Sequence, residues 1–117
     1  MIGIDIVEIE DFAGRDFSRI FTPRELEYIN CAPNSARKTE IMAGLYAGKE
    51  AVFKAFGLGG LGLEILREIE ILHDACGAPT CVFRGVAVQL SISHTRHTAV
   101  AIAAANAAGV ITVPTGK

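Results

Sequence analysis

The sequence predicts an α+β domain, a small antiparallel sheet packed around one long central helix. The stretch Ile41 to Phe56, IMAGLYAGKEAVFKAF, places Ala at 43, 47, 51 and 55, all good helix formers, and ends on Gly57, a helix-terminating residue. Almost every other position in it is apolar or small, so protein is expected around most of its circumference. Segments that alternate apolar and polar residues, or are apolar throughout, flank it and are joined by turn chemistry at 74–79 and 95–97, which favours antiparallel neighbours.

The chain opens with Ile2-Gly3-Ile4-Asp5-Ile6-Val7-Glu8-Ile9, whose alternation predicts a strand with Ile2, Ile4 and Ile6 on its buried face and Asp5 on the other. Asp is disfavoured in strands, so Asp5 is either a solvent-facing residue on a half-exposed strand or a residue with a job. Thr22, Pro23 and Glu25 form a capping box with proline at the first helical position, predicting a helix from there. Cys31 to Ser35 breaks it, and Ala36 to Glu40 leads into the central helix. Within that helix Gly44 and Gly48, one turn apart, each cost about 1 kcal/mol relative to Ala, which implies close packing on their side. Glu50 and Lys54 share a face. They form either an ordinary ion pair, worth about 0.2–0.5 kcal/mol, or an acid and a cation held in register for a site.

The loop Gly57-Leu-Gly59-Gly60-Leu-Gly62 follows a helix instead of leading a strand into a helix N-terminus, and no Gly-Lys-Ser/Thr is present. Dinucleotide and P-loop geometries are excluded; the loop is a linker or lets backbone amides approach phosphates. Arg67 to His73 alternates like a strand, Asp74 to Pro79 turns, and Thr80 to Arg84 returns as its hairpin partner. Gln89 to His94 is a further strand, Thr95 to His97 a turn, and Thr98 to Ala105 a buried strand of small residues. The tail from about residue 109 to 117 is expected to fray. Roughly five strands and two main helices result.

A chain of 117 residues is expected to be one domain, 1–117. Half of its residues are hydrophobic and its mean hydropathy is +0.37, which favours burial of surface in an assembly. Its apolar runs are short and Met1 leads directly into strand-like sequence, so neither a membrane span nor a signal peptide is expected, and a cytoplasmic location follows. A net charge of −2 offers no general attraction to nucleic acid or an acidic membrane. Cys31, Cys76 and Cys81 lack CxxC spacing and are expected as free buried thiols, without disulfide or zinc.

Three islands, Gly-Ile-Asp-Ile-Val-Glu-Ile at 3–9, Gly-Lys-Glu-Ala-Val-Phe-Lys-Ala-Phe-Gly at 48–57 and Ser-Ile-Ser-His-Thr at 91–95, resemble the 4′-phosphopantetheinyl transferases of the small holo-(acyl-carrier-protein) synthase type. Phe-Thr-Pro-Arg-Glu-Leu at 21–26 and Gly-Ala-Pro at 77–79 fit the intervening landmarks. The resemblance implies a single-copy transferase fold and an enzyme that moves the phosphopantetheine arm of coenzyme A onto a serine of an acyl carrier protein or carrier domain, leaving 3′,5′-ADP. It implies that Asp5 and Glu50 hold Mg²⁺, that Lys54 lies beside the reacting phosphate, and that His94 stands near the coenzyme phosphates, with Thr95, Gly57 and Gly59 as further coenzyme contacts. Mg²⁺ commonly takes one or two carboxylates and completes its shell with water and phosphate oxygens, so a strand Asp and a helix Glu suffice. The serine proton goes to Glu50 or to a water on the metal, between which the residues do not decide.

Carrier proteins of this kind are acidic. Arg19 and Arg24, with Arg37 and Lys38, gather around the first helix as a local basic face, or simply as a solvated one. The resemblance also implies a homotrimer with its sites at subunit interfaces. Leu45 stands where the family usually has Arg, which removes one potential phosphate contact, and the segment between Pro79 and Ser91 is short. Two other readings remain: a non-catalytic carrier-binding module, against which Asp5, Glu50 and Lys54 argue, and a transferase domain of a larger synthase.

Overall fold

Gly3 decides how the first strand meets the longest helix. In the computed structural model, which describes residues 1–106, β1 (Ile2–Glu8) lies directly on α2 (Ser35–Ala55). A Cβ at position 3 would stand 1.9 Å from the carbonyl oxygen of Ala51 and 2.6 Å from the nitrogen of Ala55, so only glycine admits this approach. The helix-facing side of β1 is therefore Gly3, Asp5 and Val7. The expected orientation is reversed: Ile2, Ile4 and Ile6 point outward and are 71, 57 and 67 % exposed. Alternation identifies the two faces of a strand but not which face meets the core, and backbone contact at Gly3 outweighs the burial of three isoleucines within one chain.

A 3₁₀ turn (Ile9–Phe12) leads from β1 towards α1 (Pro23–Asn30). The predicted capping box is present: the Glu25 N–H donates to the Thr22 hydroxyl, and the Thr22 N–H donates to the Glu25 carboxylate at 2.9 Å. The break is short, and α2 starts at Ser35, ahead of the expected lead-in, because Asn34 caps it by accepting from the Arg37 N–H at 2.8 Å. Its end matches expectation, with Gly57 at φ +65°. Gly44 and Gly48 are packed closely: a Cβ on Gly48 would lie 2.7 Å from Ile71 Cδ1 and 3.2 Å from Ile92 Cδ1.

The segment after the glycine-rich loop departs from the predicted strand. It forms one helical turn, α3 (Ile65–Glu68), and only Ile71–His73 is extended, as β2. Ile65, Leu66 and Ile69 are all buried, a helical spacing, and the Leu66 and Ile69 carbonyls accept from the Lys49 ammonium instead of a strand partner. The predicted hairpin forms between β2 and β3 (Pro79–Phe83). β4 (Val86–His94) starts earlier than expected, and β5 (Thr98–Ala104) follows the turn at 95–97. Among the described residues, five strands form one antiparallel sheet in the order β1-β5-β4-β3-β2, against which α2 packs. The core lies between them and includes Phe21, Leu45, Val52, Leu66, Ile69, Ile71 and Phe83.

All three cysteines are free, but Cys31 and Cys76 are exposed and only Cys81 is buried. The two exposed thiols sit in turn segments that have no apolar face to bury. The segment expected to fray, 109–117, lies outside the described residues.

Candidate active site

The register of the sheet sets the site. Asp5 pairs with Ala101, which pairs with Ile92, so these three share a row across β1, β5 and β4 on the side that faces α2. On α2, Glu50 and Lys54 meet that row at β1. The Lys54 ammonium donates to Asp5 Oδ1 at 3.0 Å and to the Ile4 carbonyl at 3.1 Å. Among the described ion pairs Lys54 joins Asp5, not Glu50, although Glu50 is its neighbour one turn earlier. Three of the predicted residues thus come together from a strand and a helix.

The electrostatics of this corner are those of a site short of positive charge. Asp5 Oδ2 is buried and has no hydrogen-bond partner. A carboxylate oxygen left so is costly, because its lost hydration is not replaced. Burial, and after it the negative charge of Asp5, push the Glu50 carboxyl above its ordinary value, against opposing contributions from Tyr46 and Lys54. Tyr46, which the sequence reading passed over, faces Glu50 from the preceding turn; burial, then Glu50, raise its hydroxyl pKa. The i,i+4 spacing of Tyr46 and Glu50 was the available signal. Phe12 and Phe17 pack on Tyr46, with ring centroids 5.2 and 6.3 Å away, and hold it from the other side.

Two adjacent carboxylates with an orphaned buried oxygen suit a small, hard dication that takes oxygen ligands and completes its shell with water and phosphate. Asp5 and Glu50 therefore fit the Mg²⁺ that the family resemblance implies.

His94 is the last residue of β4 and pairs with Ala99, one row beyond Ile92 and two strands away from β1. It does not join the Asp5 corner. It lines a separate cleft of about 150 Å³ with Tyr28, Arg37, Leu45, His73 and Pro79, and its Nδ1 is 2.9 Å from the Thr95 carbonyl. Tyr28 and His73 stack at the side of this cleft with centroids 3.9 Å apart. The Thr95 hydroxyl accepts from the N–H groups of His97 and Thr98, holding the β4–β5 turn. Gly57 caps α2 just beyond Lys54, and Gly59 is exposed in the loop that follows. Arg24 pairs with Glu70 at 2.5 Å while its side chain stays 67 % exposed, and Arg37 pairs with Glu40 at 3.2 Å. Arg19 is exposed beside Asp16 and Arg67.

The charge that the sequence reading missed is Lys49. It is fully buried, and its three donors go to Glu25 Oε1 at 2.7 Å, the Leu66 carbonyl at 2.8 Å and the Ile69 carbonyl at 2.6 Å. Glu25 also accepts from the Thr22 and Ile71 N–H groups. The pair ties α1, α2, α3 and β2 together on the side of the helix away from Asp5. Burial pulls the Lys49 ammonium down in pKa and Glu25 opposes that pull.

The chain matches the family model of the 4′-phosphopantetheinyl transferase superfamily over residues 1–109. A holo-[acyl-carrier-protein] synthase of Geobacillus kaustophilus is 45 % identical over 109 residues, covering 86 % of this chain and 83 % of that protein. The crystal structure of a holo-(acyl-carrier-protein) synthase from Bacillus anthracis in complex with CoA (3′,5′-ADP) superposes with a TM-score of 0.79 at 36 % identity, over 89 % of this chain and 93 % of that one. The Helicobacter pylori holo-[acyl-carrier-protein] synthase in complex with coenzyme A gives 0.74 at 26 % identity, over 91 % and 100 %. Sequence and α+β architecture agree over the same span, and by that agreement the chain belongs to the 4′-phosphopantetheinyl transferase superfamily.

Proposed function

We propose that this protein is a holo-(acyl-carrier-protein) synthase, a single-copy domain over 1–117 that transfers 4′-phosphopantetheine from coenzyme A to a serine of an apo carrier protein. The observation that carries the reading is the meeting of Asp5, Glu50 and Lys54 around an unpartnered buried carboxylate oxygen, in a chain of this family. In the transfer the serine oxygen forms a bond to the phosphorus that carries the pantetheine arm, the pyrophosphate P–O bond breaks, and 3′,5′-ADP leaves with the electron pair. Asp5 and Glu50 would hold Mg²⁺, which would supply charge neutralisation for the pyrophosphate and the leaving group. Lys54, half-exposed at the end of its helix, turns its ammonium to the phosphoryl oxygens. The serine proton passes to Glu50 or to a water that the metal would hold at that corner.

The cleft at His94 takes the phosphates at the nucleotide end of coenzyme A, with Thr95 shaping its turn and Gly57 and Gly59 bordering the pyrophosphate. Leu45 brings no cation to that cleft, and Arg37, which lines it too, supplies one. Because His94 and Asp5 stand apart on one chain, the reading includes assembly. The outward face of β1 and β5 carries Ile2, Ile4, Ile6, Val100 and Ile102, and Ile102 is 44 % exposed. Burying such side chains yields about 1.5–3 kcal/mol each, which favours a homotrimer with sites at subunit interfaces. Arg19 and Arg24 face an acidic carrier. A cytoplasmic location accords with this chemistry, and among the described residues no helix is long and apolar enough to cross a membrane.

The test is direct. Incubated with coenzyme A, Mg²⁺ and an apo carrier protein, the chain converts the carrier to its holo form, read by intact mass, while Lys54→Ala serves as control. A folded protein that binds coenzyme A and Mg²⁺ yet modifies none of several carriers is instead a non-catalytic carrier-binding module.

A further inference from the structure

We propose that Lys54 holds the place of the metal in the free protein, so that the divalent cation and coenzyme A load cooperatively, with Lys54 as the group that couples them. The proposal rests on the reading of Asp5 and Glu50 as metal ligands. Its own observation is the direction Lys54 takes. On α2 its nearest carboxylate in sequence is Glu50, at i,i+4, a spacing that favours pairing. The ammonium goes across to β1 instead, to Asp5 Oδ1 and the Ile4 carbonyl, and so neutralises one of the two ligands. Asp5 Oδ2 is left without a hydrogen-bond partner, and Lys54, though near enough to act on Glu50, makes its ion pair with Asp5.

An ammonium bound to one oxygen of a carboxylate repels a dication approaching the other. While Lys54 stays on Asp5, it weakens metal binding; to release Asp5 it needs another anion. The pyrophosphate of coenzyme A is such an anion and would accept from the ammonium. Lys54 is free to make that move: its side chain is 52 % exposed and anchored by two hydrogen bonds, whereas the nearby Lys49 is wholly buried. Coupling of this kind is reciprocal, so the metal tightens coenzyme A by the same factor that coenzyme A tightens the metal.

Mn²⁺ is the probe, its free concentration read by electron paramagnetic resonance on the intact protein without carrier. In the wild type, saturating coenzyme A tightens Mn²⁺ by at least about fivefold. In Lys54→Gln the free protein binds Mn²⁺ at least about fivefold more tightly than wild type, and the gain from coenzyme A shrinks by the same factor. Lys54→Arg, which keeps the charge, keeps the weak binding of the free wild type. A Lys54→Gln protein that binds Mn²⁺ no more tightly than wild type overturns the proposal. Glu50→Gln separates the two levels. If it abolishes Mn²⁺ binding while Lys54→Gln changes nothing, the metal site stands and the placeholder fails; if it binds Mn²⁺ like wild type, both fall.

Discussion

Lys54 and Asp5, which lie on different elements, form a 3.0 Å ion pair that joins the end of α2 to the first strand, while Glu50, one turn away from Lys54, is left to the space between them. The acid, the second acid and the cation are thus held by backbone that the rest of the fold makes rigid, and each can be removed separately.

On the proposed reading, Asp5→Asn and Glu50→Gln each take a charged oxygen from a metal site with few protein ligands. Several kcal/mol of charge stabilisation go with the metal, so turnover with a carrier protein falls by at least about a hundredfold in each. High Mg²⁺ restores part of it. Metal titration checks the cause: an unchanged affinity in either variant removes that residue from the ligand set.

The raised Glu50 carboxyl gives the metal-free protein a signature in pH. Its folded-state pKa lies above the ordinary 4.5, so the folded chain holds this proton where the unfolded chain has lost it. Stability from this group is present below 4.5 and is lost as pH rises through the raised value. With Glu50 as the proposed metal ligand, metal affinity runs the opposite way and rises with pH in that window, because the ligand must be deprotonated. Calorimetric melting in chelator across this range shows the slope in wild type and a flatter profile in Glu50→Gln.

Lys49→Met leaves Glu25 charged and buried without its partner. Breaking a buried pair from one side costs about 3–5 kcal/mol, so urea unfolding should shift by a large part of the total stability. The double variant Lys49→Met with Glu25→Gln, whose amide oxygen can still accept from a backbone N–H, recovers part of this loss, which separates the stranded charge from lost packing.

Gly3→Ala drives a methyl into the Ala51 carbonyl and the Ala55 nitrogen, both backbone atoms of α2. Strand and helix must separate, at a cost of about 1–3 kcal/mol. Asp5 moves with the strand, so Mn²⁺ binding weakens in the folded variant as well. A variant as stable as wild type, with its metal affinity intact, contradicts this packing.

Ile4→Glu places a charge on the outward face of the sheet without touching the core of one chain. Sedimentation should show a smaller species than wild type, together with reduced turnover, if copies of the chain meet on that face. An unchanged assembly places the interface elsewhere.

Most of the elements were legible. The Thr22 capping box, the Gly57 cap, the turns and the strand periods follow from local propensities that the surrounding fold did not override. The strand expected at 67–73 is shortened to Ile71–His73 because Ile65, Leu66 and Ile69 are buried at a helical spacing, and the buried Lys49 takes the Leu66 and Ile69 carbonyls. Lys49 itself hid in plain sight: on an apolar helix, Glu50 and Lys54 stood out as a spaced pair, and the charge beside them had a partner only in three dimensions.

By itself the sequence determined most of the element types, the antiparallel hairpins, the family to which the motifs point, and the residue types chemically suited to Mg²⁺ and a phosphate, because local backbone preference and ligand chemistry reside in residues and their spacing. Only the tertiary structure decided that Gly3, not the isoleucines, turns β1 towards α2, that Lys54 therefore meets Asp5, and that His94 lies in a cleft apart from them. Those outcomes depend on which face of each element is pressed against which neighbour. A periodic sequence leaves that choice open until the closest backbone contact settles it.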